Sequence, residues 1–293
     1  MATSVGLPMT DPVPAITEAT ATGETAEIFA DIRRVLGVEV VNLIWRHLAT
    51  IPGALPWAWG MLRPLYMDGS IAAEAAALRN ELELPPLPPF PAEALAAADL
   101  AGGDLSSIRN VLAAYDRTNA MAIVAFSVLL RRLDDESPAV DVAAKHRTGV
   151  SRELPPSIPL PPLPSMAELR PTTAELVRML NRLGTRRDNP ILASMYRHLA
   201  YWQAYLALAW TLIAPLDANG SLDRLIAATI KQARERSAHF EVPIRVPFAG
   251  PVDPTLKFAI RSALEPFTND VIAKMVVICA VLRTATEERS AYG

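Results

Sequence analysis

WRHLATIPGALPWAWGMLRPLYMDGS, residues 45–70, aligns without a gap on YRHLAYWQAYLALAWTLIAPLDANGS, residues 196–221, at an offset of 196 − 45 = 151. Arg46, His47, Leu48, Ala49, Leu55, Ala58, Trp59, Pro64, Leu65, Gly69 and Ser70 recur as Arg197, His198, Leu199, Ala200, Leu206, Ala209, Trp210, Pro215, Leu216, Gly220 and Ser221. Self-similarity at a fixed offset marks a duplicated structural unit. It continues on both sides. Thr25-Ala26-Glu27 recurs as Thr173-Ala174-Glu175, and Ile108-Arg109, Leu112, Tyr115 and Thr118-Asn119 recur as Ile260-Arg261, Leu264, Phe267 and Thr268-Asn269.

The spacing within each copy is helical. Ala26, Phe29, Ile32, Val35 and Leu36 share one helix face, Ser107 to Tyr115 and Asp270 to Leu282 repeat the pattern, and no segment alternates as a strand does. The expected fold is all-α, two tandem diverged repeats of five or six helices packed as an intramolecular pseudo-dimer with a cleft between them. The expected division is a flexible N-terminal tail at 1–20, repeat 1 at 21–147, a Pro-rich linker at 148–166 and repeat 2 at 167–289. Proline-rich connectors interrupt helices within each copy, at Leu84 to Pro91 and Val242 to Pro251. Between the copies, SRELPPSIPLPPLPS at 151–165 favours an extended, semi-rigid tether.

Composition narrows the function classes. Hydrophobic residues make up 51% and charged residues 20% of the 293, with a mean hydropathy of +0.21, which implies extensive helix-on-helix burial. The longest apolar runs, Ala120 to Leu130 and Tyr205 to Leu216, fall well short of the roughly 20 residues that span a bilayer. The first residues lack the basic start and apolar core of a secretory signal, so a cytoplasmic location is expected. A net charge of −3 without a basic stripe argues against nucleic-acid binding. The single cysteine, Cys279, lies in MVVICAVL and reads as a small buried hydrophobe. No His, Asp, Glu or Cys set has metal-ligand spacing, His146 and His239 lying in polar, linker-like surroundings.

The chain resembles the group I 2-haloacid dehalogenases, the DehI family. The resemblance rests on DIRRVLGVEVVNLIWRHLATIPGALPWAW, on SIRNVLAAYDRTN ending at Asn119, on LASMYRHLAYW at Leu192 to Trp202 and on Ile213-Ala214-Pro215. It implies a cofactor-free hydrolysis in which an aspartate, immediately after an Ala-Ser pair, activates the water that displaces halide; it also implies a homodimer. Here the pair is Ala193-Ser194 and the next residue is Met195. A thioether cannot take a proton from water, and loss of a general base costs about 10² to 10⁴ in rate. A pocket tryptophan of the family falls at Val40.

The pocket expected from this reading is Val40, Asn42, Leu43, Asn119, Ile191, Ala193, Ser194 and Met195, more apolar than the family's. Asp188 and Asp116 are the candidate substitutes for the base. Asn119 reads first as a cap for the apolar helix that follows it, because its repeat partner Asn269 shares the position. Arg46-His47 and Arg197-His198 read as interface-holding pairs, since duplication favours a structural role. Three functions stand at this point: a cleft that binds a small, largely apolar organic molecule, acids included, with hydrolysis lost or replaced; a non-catalytic binding or scaffold protein; and an active dehalogenase using a displaced carboxylate.

Overall fold

The computed structural model describes residues 13–100, 102–134, 160–185, 187–240 and 253–287. Among them there are α-helices and one π-helical turn, and no strand. The first half carries α1 (Gly23–Leu36), α2 (Leu43–Leu48), α3 (Ala54–Met67), α4 (Ser70–Asn80), α5 (Ala92–Ala97) and α6 (Gly102–Asp134). The second carries α7 (Pro171–Arg182), α8 (Ser194–Leu199), α9 (Gln203–Ala218), α10 (Ser221–Ser237), α11 (Pro254–Pro266), the π-turn Phe267–Ile272 and α12 (Ala273–Thr286). No helix is long and apolar enough to cross a membrane among the described residues.

The two aligned segments fold alike. Each is a short helix, α2 or α8, followed by a long one with proline inside it, Pro64 in α3 and Pro215 in α9. Each then ends at a glycine in the left-handed region, Gly69 at φ 79° and Gly220 at φ 73°, which starts the next helix. A side chain at either position would strain that turn, so the glycine is kept in both copies.

The core centres on α6 and α12, which pack along one another, with α4 and α10 also against α6. From Ala120 to Leu129 every α6 side chain is buried, so this stretch is surrounded by protein on all sides. The sequence reading ended one helix at Tyr115 and began another after Asn119; α6 instead runs unbroken through both. Asn119 sits in mid-helix and caps nothing, which corrects the capping assignment. Its repeat partner Asn269 caps nothing either; it lies in the π-turn, where its Oδ1 accepts from Arg234.

Two segments outside the expected repeats are packed rather than free. The tail expected at 1–20 is fixed over its described part: Ile16 donates to the Arg46 carbonyl, and the Pro14 carbonyl meets His47 Nδ1 at 2.7 Å. The described end of the linker, from Leu160, lies over α8. The carbonyls of Pro161, Pro162 and Pro164 accept from His198, Tyr201 and Arg197. The connector Val242–Pro251, His146 and the first part of the linker lie outside the described residues.

Gly184, which follows α7, has φ +66°, and a Cβ there would lie 2.8 Å from Ile226 Cδ1 and 3.0 Å from Leu222 Cδ2. Gly184→Ala is expected to lower stability by about 1 to 2 kcal/mol in urea titration, combining backbone strain with overpacking that flexible side-chain ends relieve in part. An unchanged midpoint would overturn that account.

Candidate functional site

A cavity of about 200 Å³ lies between the two halves of the chain. The loop from Gly37 to Leu43 forms one wall, and α6 contributes Tyr115, Arg117, Thr118, Asn119 and Ala122. The second half contributes Ile191 to Met195, His198, the π-turn residues Phe267, Val271 and Ile272, and Met275. Leu160 to Leu163 of the Pro-rich strap complete it. A π-turn inside a helix often marks a functional position, because the extra residue redirects the side chains beside it. Here it sends Phe267, Val271 and Ile272 to the cavity.

Behind the Ile191–Met195 wall, Asn181 of α7 holds the backbone in place. Its Nδ2 donates to the Ile191 carbonyl at 3.2 Å and its Oδ1 accepts from the Ala193 amide at 3.0 Å. The buried Lys274 donates from Nζ to the Asn181 carbonyl at 2.6 Å. Ser194 and Met195 at the start of α8 are therefore set from beneath by a buried polar network.

Met195 is 1% exposed. Cys279 Sγ donates to Met195 Sδ at 3.3 Å, and Asn119 Nδ2 lies 3.8 Å from Cys279 Sγ. Burial pushes the Cys279 thiol up, so it stays protonated. The position that the resemblance gives to the base is thus a thioether resting on a neutral thiol.

The polar side of the cavity is built from Tyr115, Ser194 and His198. Tyr115 Oη lies 2.7 Å from His198 Nδ1, and His198 Nε2 lies 3.0 Å from the Pro161 carbonyl. Burial, with the Arg197 charge assisting against the pull of the Pro161 carbonyl, brings His198 down to about 4, so the ring is neutral near pH 7. Burial pushes Tyr115 up, and the Ser194 hydroxyl beside it acts in the opposite sense.

Charge is scarce. Arg117 is half-buried at the cavity, and no hydrogen bond or ion pair engages its guanidinium among the described residues. Burial and the nearby charge of Arg79 hold it below the usual guanidinium value. Arg46 also lines the cavity, its Nε donating to the Val41 carbonyl. The carboxylate among the described lining residues is Glu39, exposed at the mouth.

No family model matches the chain. The chain is 27% identical over 238 residues to a configuration-inverting 2-haloacid dehalogenase of Alcaligenes xylosoxydans xylosoxydans, the match covering 78% of each. Its fold matches that of a D-2-haloacid dehalogenase in complex with L-LA, with a TM-score of 0.74 at 17% identity over 96% of this chain and 100% of the other. A D-2-haloacid dehalogenase mutant with D-2-CPA gives 0.71 at 16% identity, covering 94% and 95%. The chain is thus similar in sequence to a 2-haloacid dehalogenase and shares the helical fold of D-2-haloacid dehalogenases.

The eight pocket residues named from the sequence, Val40, Asn42, Leu43, Asn119, Ile191, Ala193, Ser194 and Met195, all line this cavity. The two substitute bases do not. Asp188 is exposed on the loop before α8, and Asp116 points away from the cavity into an ion-pair cluster with Arg79 and Arg283. Arg46 and Arg197 hold backbone carbonyls, as interface residues would. His198 does that and also meets Tyr115.

Tyr115, Arg117, the strap and Phe267 were not foreseen as cavity residues. A signal for two of them was present. Tyr115 aligns with Phe267 in the sequence and His198 with His47, and the structure pairs the four residues crosswise. Tyr115 faces His198 with ring centroids 5.6 Å apart, and Phe267 faces His47 at 6.0 Å.

Proposed function

We propose that the cavity binds a small carboxylic acid with an apolar body, and that hydrolytic dehalogenation has been lost. The observation that carries this reading is the coexistence, in one cavity, of a thioether at Met195 and a guanidinium at Arg117 that no group engages among the described residues. A half-buried cation without a partner favours an anionic ligand, and guanidinium geometry suits a carboxylate. The remaining walls, Val40, Leu43, Ile191, Leu160, Phe267 and Ile272, suit a hydrocarbon body. A water in this cavity meets no buried carboxylate among the described residues. An open volume of about 200 Å³ speaks against a scaffold whose cleft is filled by side chains.

The test is halide release from D- and L-2-chloropropionate by the wild type and by Met195→Asp, both confirmed folded by circular dichroism. The wild type is expected to be silent. Met195→Asp is expected to release halide at least about 100-fold above it, the low end of what a general base contributes. Release by the wild type would overturn the reading and direct attention to Glu39.

A further inference from the structure

The proton positions at the polar side of the cavity follow from hydrogen-bond bookkeeping. The Pro161 carbonyl can only accept, so His198 Nε2 carries a proton. The ring is neutral, so Nδ1 carries a lone pair, and Tyr115 must donate its one proton to it. The Tyr115 oxygen then offers only lone pairs to its other neighbours.

The crosswise repeat pair shows that stacking does not require this arrangement. His47 packs against Phe267, which has no hydroxyl, and uses Nδ1 for the Pro14 carbonyl. On the other side the ring is turned so that Nε2 takes the strap carbonyl and Nδ1 is left for a tyrosine. The same structural role is met in both places, and the polarised chain is added in one, where Tyr115 lines the cavity.

We infer that the Tyr115 oxygen is an acceptor-only corner of the cavity that selects ligands carrying a hydrogen-bond donor, a hydroxyl above all, over their halogen or ether counterparts. A donor satisfies the corner. A chlorine or ether oxygen brings electron density against lone pairs and leaves a buried acceptor unpaired, which costs roughly tenfold or more in affinity. The inference rests on the acid-binding reading for the rest of the ligand. It also gives a second reason why a carbon–halogen bond is poorly served here, since a departing halide needs donors.

Calorimetric titration at pH 7 with hexanoate, 2-hydroxyhexanoate, 2-methoxyhexanoate and 2-chlorohexanoate, each substituted acid as both enantiomers, tests it. One 2-hydroxyhexanoate enantiomer is expected to bind roughly tenfold tighter than its methoxy and chloro counterparts. Tyr115→Phe removes the acceptor oxygen, so the preference should fall to within about twofold while hexanoate affinity holds. His198→Phe, which frees the Tyr115 proton instead, should do the same and serves if the first variant folds poorly. Equal binding of the hydroxy and methoxy acids by the wild type overturns the inference, as does a preference that survives both variants. If no acid binds, the acid reading fails, and hexan-2-ol against 2-methoxyhexane then decides the corner alone: a preference for the alcohol upholds it and parity overturns it.

Discussion

Replacing Asp116 by alanine is expected to lower the free energy of unfolding by about 3 kcal/mol, seen as a lower urea midpoint at unchanged slope. Asp116 is 2% exposed on α6 and accepts from Arg79 of α4 at 2.9 Å and from Arg283 of α12. One carboxylate therefore bridges two guanidinium groups and ties three helices together. Removing it leaves two like charges facing each other, and the Arg79 Nε is already buried without a partner. The Arg79 and Arg283 side chains are 31% and 39% exposed, so water recovers part of the loss and the low end of the range for a broken buried pair applies. Replacing all three at once, Arg79→Met with Asp116→Leu and Arg283→Met, should restore most of the stability. A loss below about 0.5 kcal/mol for Asp116→Ala would place the cluster among inconsequential surface pairs and sink the argument.

The same residue shows where sequence reading stops. Tyr115-Asp116-Arg117-Thr118 looks like a polar break between two helices, because short polar residues compete locally with helical hydrogen bonding. In the fold the break does not occur. Asp116 is drawn into its ion pairs, Thr118 Oγ1 bonds back to the Ala114 carbonyl at 2.9 Å, and the helix continues through Asn119 into the apolar run. Tertiary partners on α4 and α12 decide the outcome, and they are distant in sequence. The all-α class and the similar folding of the two aligned segments were legible because periodicity, interior prolines and turn glycines are local signals. The eight pocket residues came from a resemblance that spans both halves. Tyr115 and His198 were each visible, yet their contact spans 83 residues and joins two helices whose packing no local pattern states. Leu160 to Leu163 read as tether, since proline-rich composition describes an extended chain without saying what it covers.

Lys274 gives the second large effect, and its sign can be worked out. It is fully buried at the start of α12, and burial brings its ammonium down from 10.5 to about 8 against the opposing pull of Asp270 and Asp217. The folded-state value is below the unfolded one, so between pH 8 and 10.5 the unfolded chain binds more protons and stability rises with pH. Below pH 8 both states are protonated and this residue contributes no slope. Tyr66, Tyr115, Tyr196 and Tyr205 are all pushed up by burial, which reverses the trend once unfolded tyrosine ionises near pH 10. Cys279, also pushed up by burial, ionises only in the unfolded chain above about pH 8.5 and acts in the same sense as the tyrosines, so Lys274 adds about 2 kcal/mol between pH 7 and 9.5 against an opposing background. Urea unfolding at both ends should show a change about 2 kcal/mol more favourable in the wild type than in Lys274→Met, because the opposing groups are common to both. A Lys274→Met protein with the same change would mean that another group carries the titration. The consequence reaches the cavity, because the Lys274 ammonium grips the carbonyl of Asn181, whose side chain fixes Ile191 and Ala193 beside Ser194 and Met195. Ligand affinity in Lys274→Met should accordingly weaken even at pH 7, where the stability cost of the buried charge has been removed.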